Sequence, residues 1–149
     1  MKTSLFLGLA LLGYILYFSC KTVTVKRKQF PALYKADSAY VIYYNTPGNH
    51  RFFKVSKLTD TLAFRPVVEN VNGIVIDSTA GCSTEGKIYF YEGTDIVHTV
   101  YFSRNETCRA LYFFIGAEKY FTRMTIQTKQ WLDKIEKKAL DPQPADKVN

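Results

Sequence analysis

Apolar and polar side chains alternate most regularly between Lys87 and Met124, where the chain reads KIYFYEGTDIVHTVYFSRNETCRALYFFIGAEKYFTRM. A period of two is the signature of a half-buried strand. It predicts strands over Lys87–Tyr91, Ile96–Phe102, Cys108–Ile115 and Lys119–Met124. The intervening segments EGTD, SRNET and GAE are short and rich in turn formers, so each predicts a hairpin. This stretch is roughly a quarter of the chain but holds ten of its 23 aromatic residues. A meander that takes so many large rings is expected to be the core sheet.

Upstream, Ala39–Asn45 is aromatic and β-branched and predicts a further strand, closed by the turn Thr46-Pro47-Gly48-Asn49. Arg51–Lys57 predicts its partner, with Phe53, Val55 and Lys57 on one face. Thr59–Val71 predicts a short helix capped by Thr59 or Asp60, with Leu62, Val67 and Val71 sharing a side and a restart at Pro66. Asn72-Gly73 ends it, and Gly73–Ser78 reads as a strand. Thr79–Gly86 is a polar loop carrying Cys82. The clearest helix is Thr125–Leu140, with Thr125 as N-cap and Trp131, Leu132, Ile135 and Ala139 in one stripe. Lys129, Lys134, Lys137 and Lys138 mostly face water. The tail over residues 141–149 has two prolines and few apolar groups and is expected to be disordered. The expected fold is α+β, with an antiparallel sheet of about five or six strands and the C-terminal amphipathic helix on one face. It forms one globular domain over residues 37–140.

The first twenty residues follow a different logic. A single Lys2 precedes an apolar run from Leu5 to Phe18, too short for a bilayer span of roughly 20 residues. A charged start followed by a short apolar run is the physics of a secretory signal. The run ends at Ser19-Cys20. Here the N-terminus resembles a bacterial lipoprotein signal peptide, in which a small residue precedes a Cys that receives lipid. That resemblance implies removal of residues 1–19, acylation of Cys20, and a mature protein fastened to a membrane of the cell envelope. Residues 20–36 would then be a tether. It carries Lys21, Lys26, Arg27, Lys28 and Lys35 before the first acid, Asp37. Basic residues beside an anionic bilayer gain up to about 1 kcal/mol each. No acidic run follows the Cys, which favours a periplasm-facing anchor.

Composition narrows the function classes. The 149 residues are 47% hydrophobic and 15% aromatic, which excludes a disordered chain. The formal charge of +7 suits an anionic membrane surface or an acidic envelope partner. Nucleic acid is not expected as a partner of an exported protein. With Cys20 assigned to the anchor, Cys82 and Cys108 are expected to form one disulfide in an oxidising compartment. No C-x-x-C, Gly-rich phosphate loop or G-x-S-x-G elbow is present. His98 lies on an apolar strand face and reads as a core residue, whereas His50 follows a turn and reads as exposed. Glu85, Glu92 and Asp95 read as a solvated rim. No catalytic residue, metal site or cofactor is expected. The leading expectation is a non-enzymatic interaction or structural module of the envelope, with Tyr89, Tyr91, Tyr101 and Tyr112 as a partner surface. A small-ligand binder for lipid or glycan is the alternative. A hydrolase using His98 or Glu92 is the third reading.

Overall fold

The computed structural model describes residues 30–76 and 82–142. They form a seven-stranded antiparallel sheet with two helices and two short 3-10 segments. The strands are β1 (Ser38–Thr46), β2 (Asn49–Leu58), β3 (Val75–Ile76), β4 (Gly86–Glu92), β5 (Asp95–Ser103), β6 (Ala110–Ile115) and β7 (Glu118–Arg123). Helix α1 spans Thr61–Val71 and α2 spans Ile126–Glu136. The order across the sheet is β2-β1-β4-β5-β6-β7-β3. The aromatic meander β4–β7 is therefore continuous. The β1–β2 hairpin adds to one side of it and the two-residue β3 closes the other.

Strand alternation divides the side chains between two faces. On the inner face, Val41, Ile88, Val100, Phe113 and Tyr120 form one row across successive strands. Tyr43, Gly86, Phe102, Leu111 and Thr122 form the next. Glycine is required at 86, because a Cβ there would lie 2.1 Å from the Ile42 carbonyl oxygen and 2.3 Å from the Phe102 ring. Phe64, Val67, Val68 and Val71 of α1 and Leu132 of α2 bury against these rows. Helix α1 also settles the topology. It joins β2 to β3, which stand at opposite edges, roughly 29 Å apart at the usual strand spacing. It therefore crosses the inner face.

Local chemistry explains the helix ends. The Asp60 carboxylate accepts from the Leu62 amide at 2.9 Å, and the Thr125 hydroxyl accepts from the Thr128 amide at 3.1 Å. Pro66 sits inside α1 without ending it. The amide it lacks would have bonded the carbonyl of Leu62, a residue 78% exposed, where water can take that role. Tyr43 donates to the Leu132 carbonyl at 2.9 Å and Ser56 to the Ile135 carbonyl at 3.2 Å, fixing α2 on the β1–β2 side.

Several expectations need correction. Among the described residues, packing reaches back past residue 37 to Phe30. A 3-10 turn over Pro31–Lys35 places Leu33 in the core, so residues 30–36 belong to the domain and not to the tether. The expected α+β antiparallel sheet with the C-terminal helix on one face stands, and the two-residue β3, paired with β7, brings its strands to seven. Leu62 faces solvent, and Phe64 and Val68 complete the buried stripe of α1. Cys108 ends a 3-10 turn (Glu106–Cys108) instead of opening β6. Helix α2 stops at Glu136, and Leu140 pairs instead with Val55 on the edge of β2, through bonds of 2.8 and 3.0 Å. Residues 1–29 lie outside the described residues, and with them the signal segment, Cys20 and most of the tether. So do residues 143–149 of the tail.

Candidate functional site

The two helices and the 3-10 turn all cover the inner face. The outward face carries the other half of each strand. One row runs Val55, Ile42, Lys87, Tyr101, Tyr112, Phe121 across β2, β1, β4, β5, β6 and β7. Beside it run Lys57, Tyr40, Tyr89 and Thr99, and then the pair Phe114 and Lys119. No Asp or Glu stands in either row. Tyr91 continues the face opposite a bulge at Val97 of β5.

The rings contact one another. Tyr101 and Tyr112 stack with centroids 4.9 Å apart and planes 9° from parallel. Tyr112 meets Phe121 at 6.0 Å, Tyr101 meets Phe114 at 6.1 Å, and Tyr40 meets Tyr91 at 5.4 Å. Each lysine lies on a ring. Lys87 Nζ is 4.6 Å from the Tyr89 centroid, Lys57 Nζ is 5.2 Å from that of Tyr40, and Lys119 Nζ is 4.1 Å from that of Tyr112. The negative ring faces hold the ammonium groups against the sheet without neutralising them. Among the described residues Lys87 and Lys119 make no ion pair with a carboxylate.

No known protein family, curated protein or solved structure matches this chain.

Tyr44 sits at the head of the face. Its ring is 7% exposed and packs on His50 at 4.5 Å, yet its buried hydroxyl has no hydrogen-bond partner. Burial raises its pKa well above the ordinary tyrosine value, helped by the neighbouring Tyr101, Tyr112 and Tyr89. The Tyr112 hydroxyl is tied to Thr84. Burial also raises the Tyr112 pKa, partly offset by that bond. These phenols stay neutral donors and acceptors in any physiological medium.

Other polar groups serve the fold. Arg104, in the turn after β5, has a side chain 13% exposed. Its Nε bonds Glu85 at 3.0 Å, and its Nη1 reaches Asp133 at 3.0 Å and Glu136 at 2.6 Å. The guanidinium also lies over the Tyr43 ring at 5.3 Å. Burial opposes its charge, but bonding to Glu136 and Glu85 outweighs this and raises its pKa. Glu85 is thus part of an interior clasp between the sheet and α2. Only Glu92 and Asp95 face each other at the β4–β5 turn, so the expected three-acid rim is two acids.

Cys82 and Cys108 stand at disulfide distance, with Cα atoms 5.6 Å apart. His50 is exposed. His98 lies on the inner face beneath Phe30, 4.5 Å away, and near Phe113. Its Nε2 is buried and makes no hydrogen bond, and burial lowers its pKa. Among the described residues no group of three His, Cys, Asp or Glu is placed to hold a metal.

Two open clefts of about 570 and 580 Å³ flank α2. The first lies between α1 and the start of α2, around Asn70, Ile74, Arg123 and Gln127. The second lies against β2, lined by Leu58, Trp131, Ile135 and Leu140, with Lys134 and Lys138 among its walls. Neither His98 nor Glu92 lines either one. Of the expected partner surface, all four tyrosines fall on one face. Sequence alternation identifies them and sets Lys87 on the same face of β4, but strand order is needed to bring Lys57 of β2 and Lys119 of β7 to the tyrosines.

Proposed function

We propose that this chain is a non-catalytic binding module of the cell envelope, held to a membrane by lipid on Cys20, whose outward sheet face docks an envelope partner. The observation that carries the reading is the face itself. Tyrosine and phenylalanine rings from five adjacent strands adjoin three lysines, in two rows without a carboxylate. A sheet face with only a structural role would more commonly be covered or polar. This one exposes Phe114 at 44% and leaves its rings half-buried. Attachment rests on the resemblance of the N-terminus to lipoprotein signals. An anchor there would leave the domain free to present this face.

Two variants test the parts separately. Cys20→Ser is expected to move the protein from the detergent phase to the aqueous phase in phase partitioning, and unchanged partitioning refutes the anchor. Lys87→Glu with Lys119→Glu is expected to abolish recovery of a stoichiometric partner from detergent-solubilised native envelopes. Equal recovery with the charge-reversed protein refutes the docking face.

The cleft between β2 and α2 favours a second reading, a small amphiphile held against Trp131 and Leu140 with its anionic head at Lys134 or Lys138. Dodecanoate protection of Trp131 fluorescence from acrylamide quenching would support it, and absence of protection would remove it.

A further inference from the structure

We propose that the outward face binds an anionic polysaccharide, with sugar rings laid on the tyrosines and the acid groups of the chain on Lys87 and Lys119. This rests on the docking-face reading and specifies its partner. Three features favour that chemistry.

First, the lysines are not a rim. Lys87 lies in the same cross-strand row as Tyr101 and Tyr112, and Lys119 lies over Tyr112, Phe121 and Phe114 at 4.1, 4.9 and 5.9 Å. The cores of protein interfaces are depleted in lysine, so a protein partner would find its best apolar contacts interrupted by charge. An anionic polymer finds charge and ring at alternate positions.

Second, the rings are mostly phenols. Tyr40, Tyr89 and Tyr91 offer both a π face and a hydroxyl, whereas Tyr101 and Tyr112 each turn one ring face to the other in their stack. A pyranose presents axial C–H bonds to a free π face and hydroxyls to the phenol hydroxyl.

Third, the spacing suits a chain. Lys87 on β4 and Lys119 on β7 are separated by three strand intervals, and Lys119 lies two residues along from the row of Lys87. That places the two positions roughly 16 Å apart at ordinary sheet spacings, the reach of a short oligosaccharide rather than of one ion.

The test measures binding of the full-length protein in detergent micelles to four polymers: polygalacturonate, neutral dextran, polyglutamate and oligothymidylate. The expected result is binding to polygalacturonate that weakens as salt is raised, with dextran at least about tenfold weaker. Lys87→Glu with Lys119→Glu is expected to weaken polygalacturonate binding by tenfold or more, and Phe114→Ala by several-fold. Unfolding curves of the variants, all at exposed or half-exposed positions, check that the fold is kept. Polyglutamate binding as tightly as polygalacturonate would show that charge alone is read and would overturn the proposal. Tighter binding of oligothymidylate would overturn it in favour of a single-stranded nucleic acid. If polygalacturonate fails to bind while the double variant still loses its native envelope partner, this inference falls and the docking face stands. If the double variant keeps that partner, the docking face falls as well.

Discussion

Replacing Arg104 with leucine should be among the most damaging single changes outside the apolar core. The guanidinium bonds three carboxylates from two elements, and its side chain is 13% exposed. Those of Glu85, Asp133 and Glu136 are 18%, 38% and 41% exposed. Leucine fills much of the space over Tyr43 and Phe102 but leaves the acids without their cation. Asp133 and Glu136 are more than a third exposed, so solvent screens them, and Lys129 still meets Asp133 at 2.8 Å. Glu85 cannot escape in this way. It keeps bonds from the Arg104 and Asn105 amides at 2.8 and 2.9 Å, but its charge stays buried. The cost of orphaning one partner of a buried pair is about 3 kcal/mol. That corresponds to a fall of roughly 10 °C in melting temperature for a domain of this size. Urea unfolding at neutral pH measures it. Adding Glu85→Gln to Arg104→Leu keeps an acceptor for the two amides and removes the charge, so the double variant should recover about 1 kcal/mol or more. A loss below about 1 kcal/mol, or no recovery in the double variant, would show that the clasp is not what holds α2 to the sheet.

Two further outcomes are expected. Cys82→Ala should lower stability under oxidising conditions by ~3.5 kcal/mol, the chain-entropy value for the loop closed between Cys82 and Cys108, and a wild-type melting curve would exclude the bond. For His98, the folded state favours the neutral imidazole because burial lowers its pKa from 6.5. The unfolded chain then takes up a proton that the folded one resists. Stability is thus full above about pH 6.5 and falls as the pH drops below it. The urea midpoint should decline between pH 7.5 and 5.5 in the wild type and stay nearly flat in His98→Phe, and parallel curves would refute the assignment.

Much of the architecture was legible because β4 to β7 are local. Each hairpin is closed by a few residues, and period two marks which side chains share a face, so Tyr89, Tyr101 and Tyr112 could be grouped before any coordinates. Helix α2 is announced by the Thr125 cap and the stripe Trp131, Leu132, Ile135 and Ala139, although the helix itself stops at Glu136. What stayed hidden depends on partners far apart in sequence. Arg104 sits in a polar turn like any surface arginine, and nothing nearby signals Glu85, Asp133 or Glu136. Phe30 and Leu33 look like part of a basic tether until α1 and β5 are placed around them. Leu62 looks like a core residue by spacing, but the burying surface lies toward Phe64 and Val68. Period two alone sets Lys87 beside Tyr89 and Lys119 beside Phe121, but the contacts of Lys57 with Tyr40 and of Lys119 with Tyr112 depend on strand order.

The crossing of α1 has a kinetic consequence. The strands joined through it lie at opposite borders of the sheet, so neither border can be finished by zipping outward from a neighbouring hairpin. The β4–β7 ribbon can assemble early from short-range pairings, while the β1–β2 hairpin and β3 must wait for one traversing segment to settle. Nascent chains caught in that interval would display two raw strand margins and an uncovered oily layer together, the stage at which sticking to other molecules is most tempting. Slow folding would thus reflect the chain's route rather than any weakness of its finished sheet.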